Sequence, residues 1–415
     1  MPRKSLLVLH ILGVILILGT SMAVVGMMPA IARKAFETDK LQTLLITTIP
    51  VAFFTVSIFW GDLFSHRRFV TYMLTFWLVA CLPMVLIAAT SGYAMLLIPY
   101  AVCAIGGAGY YPAAGELLKR IYPDKARGRA FGVISGLMYL ANGAMSYGMG
   151  VWLSHHPEAF RIFLPIAVCL QFIGAAIFVY LAKQVSADVG RVKERDQTPM
   201  QERLLRPILQ MSAVLKADPV FARYEAAYMT YGVGWMVCYA LVPFIATKKL
   251  NLDYDEFALS IQVSYLVGLV LMMWPSGYLI DRIGAVRSVG ISFGLLALYP
   301  VGLMLATSFA QLCVISFLYG IAHAATSMGW TLGPVSLAPE PSKVPQYVAI
   351  HATLVGLRGI VFQGLGVWIY HLTASFVLPL IMATIAFVWS AAQMWSLHRR
   401  LQADRRAALI PEAAT

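Results

Sequence analysis

The sequence predicts an all-α membrane protein: twelve transmembrane helices in two pseudo-symmetric halves of six. Three observations predict it. Of 415 residues, 60% are apolar and 12% charged, where a soluble domain carries about 25% charge. That much apolar surface needs lipid as its solvent, which excludes a soluble enzyme and a disordered chain. Twelve apolar runs follow one another, each long enough to cross a bilayer as a helix. One long hydrophilic stretch, 184–219, divides them six and six.

The first six runs cover roughly 6–28, 42–60, 69–90, 93–115, 130–153 and 160–182. The second six cover roughly 221–246, 257–280, 288–307, 311–333, 348–370 and 374–396. Met-Pro-Arg-Lys opens the chain, and no small-residue cleavage site follows, so the first run reads as a span with a cytoplasmic start, not a signal peptide. Alternating patterns of the β-barrel kind are absent from the sequence. The expected organisation is 1–183 as the N-terminal half, 184–219 as a cytoplasmic linker, 220–397 as the C-terminal half and 398–415 as a cytoplasmic tail, disordered at its end. Cys81, Cys103, Cys169, Cys238 and Cys313 all fall in apolar runs without metal or disulfide spacing, and are expected as buried thiols.

The net charge of +12 would suggest nucleic acid in a soluble protein. Here its distribution gives another cause. With the N-terminus inside, the cytoplasmic segments hold 24 Lys and Arg, the outer loops six, and Arg358 lies within a span. That bias predicts both termini in the cytoplasm of a bacterial-type inner membrane. The partners expected are therefore the bilayer and a small-molecule substrate, with no nucleic acid, no cofactor and no metal.

The halves carry matching punctuation. Gly61-Asp62-Leu63-Phe64-Ser65-His66-Arg67-Arg68 follows the second span, and Gly277-Tyr278-Leu279-Ile280-Asp281-Arg282-Ile283-Gly284 follows the eighth. Each is a glycine at a helix end and a short basic turn, the mark of a repeat-built transporter.

On these residues the chain resembles the major facilitator superfamily. Gly277, Asp281, Arg282, Gly284 and Arg287 are similar to that family's loop signature, and Pro123 to Gly132, with Arg127 and Arg129, resembles its entry into the fifth helix. The resemblance implies a gating latch made of Gly277, Asp281, Arg282, Arg287, Arg127 and Arg129. Asp281 is expected near a helix start, where the dipole favours a carboxylate. Two departures stand out. Ser65 and His66 occupy positions where the family has Asp and Arg, and the fifth span lacks the Gly-Pro motif of its drug/proton antiporters.

Several residues are candidates for contact with a solute. Arg358 lies about ten residues into its span. A mid-membrane arginine costs about 2.5–3.5 kcal/mol on insertion scales, and its planar fork suits a carboxylate or phosphate. A structural arginine bonded to helix-end carbonyls or to Glu225 is the competing reading. The tenth span carries Ser316, Tyr319, His323, Thr326 and Trp330 on one side. The seventh carries Glu225, Tyr228, Gly232, Trp235 and Tyr239, and the fifth Ser135, Tyr139, Asn142 and Ser146. Aromatic and small-residue stripes of this kind also serve as packing. Arg358, His323, Tyr319, Trp330, Tyr228, Trp235, Tyr139, Asn142 and Gln262 are thus the candidate substrate contacts, with Tyr265 beside Gln262.

No carboxylate is expected at mid-membrane depth. If a proton is the coupling ion, Glu225, His323, His351 or His10 must carry it. Glu225, one turn into its span, also reads as a solvated helix-start carboxylate. The function expected is a secondary transporter, monomeric, moving a small and anionic solute by alternating access. A polytopic membrane enzyme and a non-transporting sensor on the same fold are the alternatives. The first would need a catalytic cluster, and His155, His156 and Glu158 are the nearest approach to one; the second would need an added soluble domain.

Overall fold

Ten helices are long and apolar enough to cross a bilayer in the computed structural model, which describes residues 4–188, 200–252, 256 and 258–409. Two more, Asp124–His155 and Pro219–Phe244, have 32 and 26 residues, ample for a crossing at 1.5 Å per residue. They are less apolar because glycine, tyrosine and serine stand where the others carry leucine and isoleucine. In chain order the twelve are α1 (Lys4–Ala32), α2 (Leu45–Ser65), α3 (Phe69–Ala89), α4 (Tyr93–Ile121), α5 (Asp124–His155), α6 (Pro157–Gln184), α7 (Pro219–Phe244), α8 (Leu259–Ile283), α9 (Ala285–Leu305), α10 (Phe309–Leu337), α11 (Pro341–Thr373) and α12 (Val377–Asp404). No strand occurs among the described residues.

The structure adds detail to the sequence reading in the linker and the tail, and departs from it at two cysteines. The polar stretch 184–219 contains a further helix, Met200–Ala217, and its section 189–199 lies outside the described residues. One residue, Asp218, joins this linker helix to α7, and its carboxylate caps the amides of Val220 and Phe221 at 3.1 and 2.9 Å. The tail is helical to Leu409, with 410–415 outside the described residues. Of the cysteines, Cys81, Cys103 and Cys238 are buried, but Cys169 is exposed and Cys313 half-buried. Lipid is as apolar as a protein core, so a thiol in an apolar run need not turn inward.

The chain forms two compact units. One comprises Met1–Met211 with Ala338–Ile360, the other Ser212–Leu337 with Val361–Thr415. In the first, Val24, Met28 and Ile31 of α1 pack with Met84 and Ile87 of α3, Tyr100 of α4 and Phe160 and Phe163 of α6. The start of α11 joins this unit through α2. A 3-10 turn at Phe53–Val56 interrupts α2, and the amide of Ile58 donates instead to the Thr353 hydroxyl, 2.9 Å away. In the second unit, aromatic residues of α7 and α9 pack with Leu380, Phe387 and Met394 of α12. Here α8 and α10 approach closely at Gly268 and Gly320. A Cβ on Gly268 would run into the Phe317 carbonyl, and one on Gly320 into the Tyr265 carbonyl.

Two basic side chains near helix ends have a structural use. Arg161 Nη1 donates to the carbonyls of Ala88 and Thr90 at 2.8 and 2.9 Å, at the end of α3. Lys249 Nζ donates to those of Leu303 and Met304 at 3.2 and 2.8 Å, at the end of α9. A cation suits the negative end of a helix.

Candidate functional site

The second unit gathers its polar aromatic residues around His323 of α10. Tyr231 of α7 places its hydroxyl 2.9 Å from His323 Nε2, and Tyr265 of α8 places its own 2.9 Å from Nδ1. A neutral imidazole has one N–H and one bare nitrogen, so one tyrosine accepts and the other donates. An imidazolium has two N–H groups, and both hydroxyls then accept. The same two neighbours therefore satisfy either protonation state by rotating a hydroxyl hydrogen.

A near-parallel stack holds the ring. Tyr319 lies 5.3 Å from His323 at 11°, Trp235 lies 6.2 Å away at 16°, and Tyr299 covers Tyr319 at 4.1 Å. Trp235 Nε1 donates to the Tyr319 hydroxyl at 2.7 Å. The close passage of α8 against α10 at Gly320, one turn before His323, brings Tyr265 within reach. His323, Tyr319, Tyr265 and Trp235 are only half-buried, whereas Tyr231 is buried. This wall keeps part of its surface open while its polar groups are satisfied internally.

Other expected contacts of this unit take different roles. Tyr228 is buried and donates to the Thr326 carbonyl at 2.8 Å; Tyr224 does the same to Gly329. Both tie α7 to α10 and belong to the core. Trp330 is half-buried and Gln262 exposed. Glu225 is 3% exposed. It is not the solvated helix-start carboxylate the sequence suggested, because α7 begins with the capped turn at Asp218 and buries its second turn.

In the first unit, Arg358 sits midway along α11 and is 2% exposed, and His351, seven residues earlier, is fully buried. Asn142 Nδ2 of α5 donates to the Gly19 carbonyl at 3.4 Å, beside the π-helical turn Ile15–Gly19 of α1. It is thereby a staple between α1 and α5, while Tyr139 stands half-buried one turn earlier. His10 of α1 stacks on Tyr122 and lies 3.1 Å from its hydroxyl. Burial pushes the Tyr122 phenol up, so it stays a neutral partner.

The latch residues stand in different local settings within their own units. Asp281 is in the last turn of α8, not at a helix start, since Gly284 with φ +85° ends that helix and Ala285 begins α9. The dipole at that end disfavours a carboxylate, so it gives no support to the capping role. Gly277 is buried, Arg282 exposed, and Arg287 half-buried. Arg127 bonds its own loop, pairing with Asp124 at 2.6 Å and donating to the Tyr122 carbonyl at 3.1 Å. Exposed Arg129 reaches back to the Lys125 carbonyl at 3.3 Å.

A different clamp, which sequence reasoning missed, holds the α2–α3 loop. Arg206 of the linker helix grips both oxygens of Asp62, Nε at 2.9 Å and Nη2 at 2.6 Å. Asp188, where the linker leaves α6, accepts the amide of Phe69 at 2.8 Å. The linker thus holds both ends of the loop. Lys119 of α4 donates to the Ala338 carbonyl just beyond α10. No cluster of His, Cys, Asp or Glu able to hold a metal occurs among the described residues.

Comparison with known proteins agrees with this architecture. The family model described as Major Facilitator Superfamily matches residues 9–254 and again 226–412. Among solved structures, the bacterial homologue of the iron transporter ferroportin in an outward-facing state superposes with a TM-score of 0.71 at 11% identity, covering 94% of this chain and 99% of that one. The human organic anion transporter MFSD10 gives 0.69 at 14% identity, covering 96% and 99%. The E. coli fucose:proton symporter gives 0.67 at 12% identity, covering 95% and 97%. No curated protein matches the chain significantly in sequence.

Proposed function

Given that the chain belongs to the Major Facilitator Superfamily, we propose that it is a secondary transporter moving a small anionic solute across a cytoplasmic, bacterial-type inner membrane by alternating access. It acts as a monomer, and its termini lie inside, a placement that the charge bias supports. His323 carries the coupling proton. The observation that supports this most is the pair of tyrosine hydroxyls on its two ring nitrogens, which can serve either charge state without rearranging the fold. Arg358 is the anchor for the negative group of the solute. It supports this reading by being a deeply buried guanidinium in the middle of a span, where a fork-shaped donor suits a carboxylate or phosphate. Likeness to a human organic anion transporter is in keeping with the same class.

The transporter reading is favoured over a membrane enzyme, whose chemistry would need a cluster of acids, bases or nucleophiles at one face. It is tested by a thermal-shift screen of the purified protein against carboxylates, sugar phosphates, neutral sugars and organic cations. A ligand of the folded state raises apparent stability. Stabilisation by anions, reduced in Arg358→Lys and lost in Arg358→Ala, is expected. Stabilisation by cations or neutral sugars alone would remove the anionic assignment.

A further inference from the structure

The start of α9 and the end of α12 bring two arginines to one tryptophan. Arg287 holds its Cζ 6.0 Å from the centroid of the Trp395 ring, and Arg399, one turn further along α12, holds its own Cζ 6.0 Å from the same ring. Neither forms an ion pair among the described residues. Arg287 Nε is buried and has no hydrogen-bond partner. Two like charges beside one ring repel, and a buried charged N–H without an acceptor is costly. Both penalties are relieved by a single anion.

The surface beneath defines the kind of anion. Ile291, Leu295 and Leu298 follow Arg287 in steps of four and three, so they share its face of α9, and all three are exposed. Trp395 and Val388, seven residues apart on α12, are exposed as well. The two helices meet along a seam where Gly290 faces Met394 and Gly294 faces Ala391. Two cations therefore stand above one continuous apolar strip, and a phospholipid has the matching shape. We propose that this is a binding site for an anionic phospholipid, its phosphate between Arg287 and Arg399 and its acyl chains along α9 and α12. A choline headgroup fits poorly, because its ammonium would meet the guanidiniums and the indole face already serves them. The charge bias assigns this end of the helices to the cytoplasmic side, where anionic lipids gather.

The test is native mass spectrometry of the purified full-length protein, delipidated and titrated with phosphatidylglycerol or phosphatidylcholine. Wild type binds phosphatidylglycerol selectively. The variant Arg287→Gln/Arg399→Gln binds it about thirty-fold more weakly, equivalent to about 2 kcal/mol at roughly 1 kcal/mol per arginine near an anionic surface. Arg399→Gln alone, at an exposed position, gives about a five-fold loss, on the same scale, and serves if the double variant does not fold. Lys216→Gln, an exposed cation on the linker helix, leaves the affinity unchanged. Equal binding by wild type and Arg399→Gln, or equal affinity for phosphatidylcholine, overturns the site. Inorganic phosphate titrated in the same way and binding as tightly as phosphatidylglycerol overturns the lipid as its occupant.

Discussion

Replacing Arg206 by Gln removes two hydrogen bonds to Asp62 and leaves that carboxylate, 13% exposed, with the His66 Nδ1 3.8 Å away. The size of the effect follows from the burial of the pair. Exposed ion pairs contribute about 0.2–1 kcal/mol, whereas stranding one member of a buried pair costs about 3–5 kcal/mol. Side chains at 22% and 13% exposure in two-pronged geometry fall between, at about 2 kcal/mol, or roughly thirty-fold in a local opening equilibrium. Hydrogen exchange read by mass spectrometry on peptides spanning 62–72 reports that opening directly. The amide of Phe69, held by Asp188, should exchange faster in Arg206→Gln, and faster again when Asp188→Asn is added. Asp62→Asn combined with Arg206→Gln should cost little more than either alone, as expected of partners in one interaction. Exchange within about two-fold of wild type in Arg206→Gln would refute the clamp, since it corresponds to less than about 0.5 kcal/mol.

Three further outcomes are expected. Tyr265→Phe and Tyr231→Phe each leave one His323 nitrogen without its hydroxyl; the pH profile of transport should shift in both while solute binding is retained, and an unchanged profile in both would remove these tyrosines from the coupling. Arg358→Ala should insert and fold but lose binding of the anionic solute, with Arg358→Lys intermediate because it keeps charge without the fork; wild-type affinity in Arg358→Ala would make this arginine structural. Gly320→Ala should lower the melting temperature, since its Cβ would strike the Tyr265 carbonyl and overpacking costs about 1–3 kcal/mol; an unchanged melting temperature would show that α8 and α10 yield there.

The helices were legible because lipid imposes a simple rule, long apolar runs punctuated by charge, and α1, α4 and α10 obey it plainly. The polar linker concealed a helix because Met200–Ala217 has few of the long apolar runs that mark a span, and its clamp depends on a residue 144 positions from its partner. His323 was legible as a polar residue in an apolar helix. Tyr231 was not. The polar stripe on α7 was drawn through Tyr228, Gly232 and Trp235, and it passed over Tyr231, which at three residues after Tyr228 and four before Trp235 shares their face. Its role emerges only where α7 passes α10. Asp281 was misplaced for a local reason: a glycine at positive φ turns α8 into α9 within one residue, so the aspartate closes one helix instead of opening the next. The burial of Glu225 depends on tertiary packing around the first turns of α7, which a hydropathy pattern does not encode.

Proton-coupled anion transport is decided by the purified protein in sealed liposomes, with internal pH and solute uptake read together. Carboxylates and sugar phosphates are offered in turn, with neutral sugars and organic cations as controls. In wild type an anion should enter or leave together with a proton movement. In His323→Gln the anion should still bind, and proton movement should no longer accompany it. Movement of no anion by wild type, or proton-coupled transport by His323→Gln at the wild-type ratio, would contradict this coupling.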